Sequence, residues 1–151
     1  MNAKMRFPPY NGGVDVRNNG HSVYKTEFHI VFATKYGRKA LNPGFAKYTE
    51  SVIREIVEDI EGVEVLEINV QNDHVHLFMI ITPKYAVSKV VEMIKSRSAK
   101  VVREKFGWLD NLYTGTKSLW SRGFFASTVG INEGVIRNYI KFQQKIGRAH
   151  V

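Results

Sequence analysis

His74-Val75-His76-Leu77-Phe78-Met79-Ile80-Ile81, the stretch HVHLFMII at residues 74–81, decides how this chain is read. Side chains alternate between the two faces of a β-strand. Val75, Leu77, Met79 and Ile81 therefore form one wholly apolar face, the natural core side. His74 and His76 point the other way, with Phe78 and Ile80 continuing that second face. This second face is thus not simply solvated, and the final helix or another subunit is expected to cover it. Pro83 closes the strand.

Working outward, Val63, Val65, Ile68 and Val70 predict a preceding strand, and the polar link Gln71-Asn72-Asp73 makes the two an antiparallel hairpin. Before it, Asn42-Pro43 is a helix start, a capping side chain followed by a residue that needs no amide hydrogen. Phe45, Tyr48, Val52, Ile53, Ile56, Val57 and Ile60 then recur at helical spacing, and Gly62 ends the helix. Residues 22–34 (SVYKTEFHIVFAT) alternate aromatic and β-branched residues, with Phe28, Ile30 and Phe32 on one face of a strand.

Beyond the hairpin, a second helix from about Tyr85 to Phe106 buries Val87, Val90, Val91, Ile94, Val101, Val102 and Phe106. Residues 107–117 read as loop, and Leu119–Thr128 as a strand with a glycine break. Asn132 caps a last helix holding Val135, Ile136, Tyr139, Ile140, Phe142 and Gln143. The first six elements follow the split βαβ order. The fold class expected is therefore α+β: a ferredoxin-like (RRM-like) antiparallel sheet with helices on one face and an added C-terminal helix. Residues 1–21, rich in Pro, Gly and Asn, read as a flexible N-terminal arm, and residues 22–151 as one domain.

Composition narrows the function. With no cysteine, disulfides, cysteine-ligated zinc, iron–sulfur clusters and thiol catalysis are excluded. No apolar run spans a bilayer and the N-terminus has no signal-type core, so a cytoplasmic protein without a membrane partner is expected. The formal net charge of +8 is unevenly spread: +5 over residues 1–43, −6 over 44–73 and +9 over 84–151. A chain this basic in its C-terminal half suits a polyanion. Lys89, Lys95, Arg97, Lys100 and Arg103 lie with Lys105 on the exposed side of the second helix, and these first five are the candidate phosphate contacts, or part of an ordinary solvated face.

Two imidazoles on one face, about 6.6–6.8 Å apart along the backbone, are a start for a divalent metal site. The bare pattern is weak: five histidines in 151 residues give about 0.17 such pairs by chance. His21, His29 and His150 need no functional reading. Tyr139 and Gln143, four apart, share a helix face. Periodicity alone also accommodates Tyr139 as a half-buried aromatic.

Together the runs HVHLFMIITPKYAVSKVVEMIKSRSAK, LWSRGFFASTVG and VIRNYIKFQQ, with the opening FHIVFATKYGRKAL, resemble the small single-tyrosine HUH transposases of TnpA type. The likeness spans residues 22–146; His74, Val75 and His76 match that family's His-hydrophobic-His motif, and Tyr139 with Gln143 its tyrosine and glutamine. The resemblance implies a transposase that cleaves and rejoins single-stranded DNA at insertion-sequence ends. Tyr139 is implied as the nucleophile that forms a 5′-phosphotyrosine, with His74, His76 and Gln143 holding Mg²⁺ or Mn²⁺. It further implies DNA hairpins as ligands and a homodimer in which one protomer's tyrosine helix can complete the other's site. Three alternatives stay open: a domesticated relative acting on dispersed repeat hairpins, an RRM-like nucleic-acid-binding module without catalysis, and a metal-dependent hydrolase in which Tyr139 is only structural.

Overall fold

A computed structural model describes residues 17–18, 23–24, 26–35 and 41–149. Strands are β1 (Arg17–Asn18), β2 (Val23–Tyr24), β3 (Glu27–Ala33), β4 (Val63–Val70), β5 (His74–Ile81) and β6 (Phe125–Ser127). Helices are α1 (Pro43–Glu58), α2 (Val87–Lys105), α3 (Leu109–Leu112) and α4 (Glu133–Ala149). β1 and β2 form a small antiparallel pair of their own. The strand expected over 22–34 therefore divides, and part of the expected arm is paired. The rest of the arm lies outside the described residues.

β3 to β6 make one antiparallel sheet in the order β4-β5-β3-β6, so the chain is α+β. The period-two pattern of β5 sets which side is core. Ile30, Phe32, Val75, Leu77, Met79 and Ile81 are sealed in one cluster with Val52, Ile53, Val57, Val90, Val91, Ile94 and Val102 from α1 and α2. Both helices thus pack on that side. α1 begins as the sequence predicts, with Asn42 Oδ1 accepting from the Gly44 and Phe45 amides. It ends at Glu58, before Gly62, whose φ of +83° sits in the turn into β4. A Cβ there would stand 2.6 Å from Thr82, so glycine is required on two counts.

Two segments depart from expectation. The 107–117 loop contains the single turn α3, which buries Leu109. The strand expected over 119–128 is broken: Trp120 bridges Thr34, while Phe125 pairs with Val31, so two extra residues bulge out between these contacts. Gly123, at φ +79°, lies within the bulge. Bulged backbone loses its ladder partners, and here a side chain replaces them. The Lys95 ammonium donates to the carbonyls of Ser121 (2.7 Å) and Gly123 (2.8 Å).

Candidate active site and nucleic-acid interface

The side of the sheet away from α1 and α2 carries the chemistry. Its rows follow from the strand registers: Asn69, His76, Val31 and Phe125 lie across the sheet in one row, and Glu67, Phe78, His29 and Ser127 in the next. α4 packs on this side. It contacts β3, it buries Ile140, and the Tyr139 ring lies 6.1 Å from that of Phe125. Val31, which faces this way, is fully buried. The final helix, one of the two covers expected, is thus present within the single chain. Its start is capped by Asn132, whose Oδ1 accepts from the Val135 amide at 2.9 Å.

His74 and His76 share this face as expected, each held differently. His74 Nδ1–H donates to the Asp73 carboxylate at 2.9 Å, with both side chains 15% exposed. A carboxylate on one ring nitrogen orients the imidazole, as such partners do for histidine ligands of metals. His76 Nε2 lies 3.3 Å from Nδ1 of His29. Burial first, then the neighbouring His29 and His74, pushes the His76 imidazole below its ordinary pKa, with Glu67 opposing. It is therefore neutral near pH 7, the form a metal needs.

His29, left outside the expected site, lies against His76 in the structure. Its ring stacks on Phe78 with centroids 4.3 Å apart and planes 13° from parallel. Phe28, Ile30 and Phe32 on the core side place His29 on the opposite side, and antiparallel pairing of β3 with β5 sets it directly across from Phe78.

Tyr139 and Gln143 lie one turn apart on α4, both half-buried. The Tyr139 hydroxyl is buried with no hydrogen-bond partner, and burial pushes its pKa up to about 12. No hydrogen bond joins it to either histidine of the expected site. Among the described residues, no group of three or more His, Cys, Asp or Glu side chains is placed to hold a metal. The donors expected there are two imidazoles and an amide oxygen, kinds that divalent cations accept. Such a partial set leaves coordination positions for water and phosphate, as hard divalent cations in phosphoryl chemistry require.

On the helix side of the sheet, α2 and the 117–123 segment enclose a cleft of about 1270 Å³. Lys89, Lys100, Lys117 and Arg122 line it as exposed cations. Of the five residues expected to touch DNA, Lys89, Arg97 and Lys100 are exposed. Lys95 and Arg103 are engaged within the protein. Burial pushes Lys95 down to about 8 while it clasps the bulge. Arg103 donates to the carbonyls of Thr116, Ser118 (3.1 Å) and Tyr113 (3.3 Å) and pairs with Asp110 at 2.7 Å. Charge-assisted bonds of this kind contribute ~1.5–3 kcal/mol each at most, and they share one side chain here. Arg103→Met is expected to lower unfolding stability by about 3 kcal/mol in urea titrations, against under about 0.5 kcal/mol for Lys100→Ala. Equal small losses would show that Arg103 is merely another surface cation.

An imidazole cluster on a helix-covered sheet face, backed by a cationic cleft, describes a protein that handles a polyanion. Comparison with known sequences narrows the class: the family model for IS200-like transposases matches residues 22–143, a span that takes in His74, His76, Tyr139 and Gln143. The chain belongs to the IS200-like transposase family. It is 34% identical over 129 residues to the transposase for insertion sequence element IS200 of Salmonella typhimurium, covering 85% of this chain and 84% of that one. It is 31% identical over 123 residues to the ISDra2 transposase TnpA of Deinococcus radiodurans, covering 80% and 86% respectively. A crystal structure of a Deinococcus radiodurans protein assigned as a transposase superposes with a TM-score of 0.76 at 29% identity, over 84% of this chain and 97% of that one. A REP-associated tyrosine transposase solved with a REP hairpin has a TM-score of 0.50 at 13% identity over 83% of this chain and 68% of that one, a likeness of fold alone. Membership makes DNA the substrate class and DNA transposition the activity. No helix among the described residues is long and apolar enough to cross a membrane.

Proposed function

We propose that this protein cleaves and rejoins single-stranded DNA at the ends of an insertion sequence through a 5′-phosphotyrosine on Tyr139. One observation carries the reading most: α4 seats Tyr139 on the same side of the sheet as His74 and His76. The sheet order β4-β5-β3-β6 supports reading the fold as a ferredoxin-like split βαβ unit with α4 added.

In this reading Tyr139 Oη attacks phosphorus and the bond from phosphorus to the 3′ oxygen breaks. The 5′ phosphate stays on the tyrosine, and the phenolic proton is released as the 3′ hydroxyl forms. The ester bond is conserved, so rejoining by reverse attack requires no nucleotide cofactor. His74, His76 and the Gln143 amide would hold Mg²⁺ or Mn²⁺, which supplies charge to polarise the phosphate and stabilise the leaving oxygen. Asp73 orients His74 for that role. The exposed cations of the α2 cleft suit the phosphates of a DNA hairpin. A homodimer, with one protomer's tyrosine helix able to complete the other's site, goes with the same reading.

The binding-module alternative needs aromatic rings open to bases. Phe78, the aromatic residue of β5, is covered by the stacked His29 ring. A hydrolase with a structural Tyr139 leaves its buried, unpaired hydroxyl without a purpose.

The test uses labelled oligonucleotides from the DNA flanking the gene, single-stranded and annealed, with Mg²⁺, Mn²⁺ or chelator. Expected are metal-dependent cuts in the single strands alone, with binding that weakens steeply as salt rises from 50 to 200 mM, a fall of about 10³-fold if six phosphates are contacted. Equal cutting of duplex, or cutting that survives chelator, would contradict the reading.

A further inference from the structure

His29 takes no part in the reaction as laid out above, yet it is the residue most closely engaged with His76. Its Nδ1 points at the His76 Nε2 from 3.3 Å, with the two rings 5.5 Å apart and tilted by 44°. With His76 Nε2–H donating to His29 Nδ1, the neutral His76 ring keeps its lone pair on Nδ1 for a metal, so the contact ties the proton position of one ring to that of the other. Phe78 fixes the His29 ring from its flat side. That stack is set by the ladder, because His29 and Phe78 are direct partners in antiparallel strands. The chain of support therefore runs from the sheet backbone to Phe78, to His29, and on to His76.

Two roles are conceivable for a third imidazole here, and geometry separates them. A ligand would aim its nitrogen at a centre shared with the others. His29 instead aims at the His76 nitrogen itself, and no three such side chains among the described residues converge on a common point.

We propose that His29 is a positioning residue, which holds the His76 ring and its proton in one arrangement through their nitrogen–nitrogen hydrogen bond. The inference rests on the proposed role of His76 in the site and deepens it. His74 is held by Asp73 and His76 by His29, so each imidazole of the pair has a dedicated orienting partner. A ring left free to rotate about its outer torsion samples a broad well, and a ligand nitrogen spread over that well binds less tightly.

The experiment compares wild-type protein with His29→Phe and His29→Asn. Phenylalanine keeps a flat ring on Phe78 but has no nitrogen, whereas asparagine places a polar atom near the position of Nδ1 and gives up the stack. Thermal melts confirm that each variant is folded. Long-range proton–nitrogen spectra of histidine-labelled protein, free of metal and DNA, then report the His76 ring, its signals assigned with His76→Gln. A single tautomer is expected in wild type and in His29→Asn, and signals shifted toward a tautomer mixture in His29→Phe.

Mn²⁺ binding, followed by electron paramagnetic resonance on protein without DNA, is expected to weaken about tenfold or more in His29→Phe. In His29→Asn it should return to within about threefold of wild type. Unchanged His76 signals and Mn²⁺ affinity in His29→Phe would overturn the proposal and leave His29 a packing residue. So would an asparagine variant no better than phenylalanine in both readouts. If His76 shifts as expected but wild-type protein binds no Mn²⁺, positioning stands and the metal-site reading of the histidine pair fails.

Discussion

Tyr139→Phe is expected to abolish strand cleavage while making the protein more stable. The two effects share one cause. The hydroxyl is the atom proposed to attack phosphorus, and it is buried without a hydrogen-bond partner. A buried donor left unmade costs ~1–3 kcal/mol, so removing it should raise stability by about 1 kcal/mol once a small void is allowed for. Loss of a nucleophile should cost on the order of 10⁴-fold or more in cleavage rate. Functional sites are where local rules of stability are broken. A variant that lost activity and stability together would instead mark Tyr139 as a packing residue.

The same hydroxyl gives a pH signature. Its pKa is pushed up to about 12 by burial, while an unfolded chain ionises its tyrosines near ~10. Between those values the unfolded state sheds a proton that the folded state keeps. Ionisation of this group thus leaves stability unchanged below pH ~10 and lowers it as pH rises toward 12. Tyr139→Phe should flatten that part of the stability profile.

Removing the imidazoles is the second large effect. His74→Ala or His76→Ala is expected to lower metal-dependent cleavage by about 10²–10³-fold, the usual cost of deleting a group that stabilises charge in the transition state. Binding of DNA should change little, because the exposed cations lie on the other side of the sheet. Asp73→Asn leaves the His74 ring in place but weakens its orientation, and a smaller loss of ~10–100-fold is expected. Cleavage and metal-ion titrations of the three variants would separate these. Full activity in His74→Ala and His76→Ala would remove the pair from the site.

Much of this was legible in the sequence because periodicity reports faces. The alternation of HVHLFMII put Val75, Leu77, Met79 and Ile81 in the core and the histidines opposite, and they lie so. Asn42 and Asn132 marked helix starts that both carry side-chain caps. What periodicity cannot report is who meets whom across strands. His29 carried a usable signal, since Phe28, Ile30 and Phe32 put it on the histidine side. Its engagement with His76 became visible only with the β3–β5 register. Lys95 and Arg103 looked like their neighbours on an exposed helix stripe. Their real partners are carbonyls of a segment whose bulge and single-turn helix arise from tertiary contacts, beyond the reach of local propensity.

The most direct test of the central claim is to trap the protein on a single-stranded oligonucleotide carrying an element end, digest with protease and nuclease, and find the modified peptide by mass spectrometry. A phosphate-linked nucleotide on Tyr139 is expected, formed with divalent metal and absent in Tyr139→Phe. Strand cleavage with no covalent protein–DNA product, or an adduct on any other residue, would contradict it.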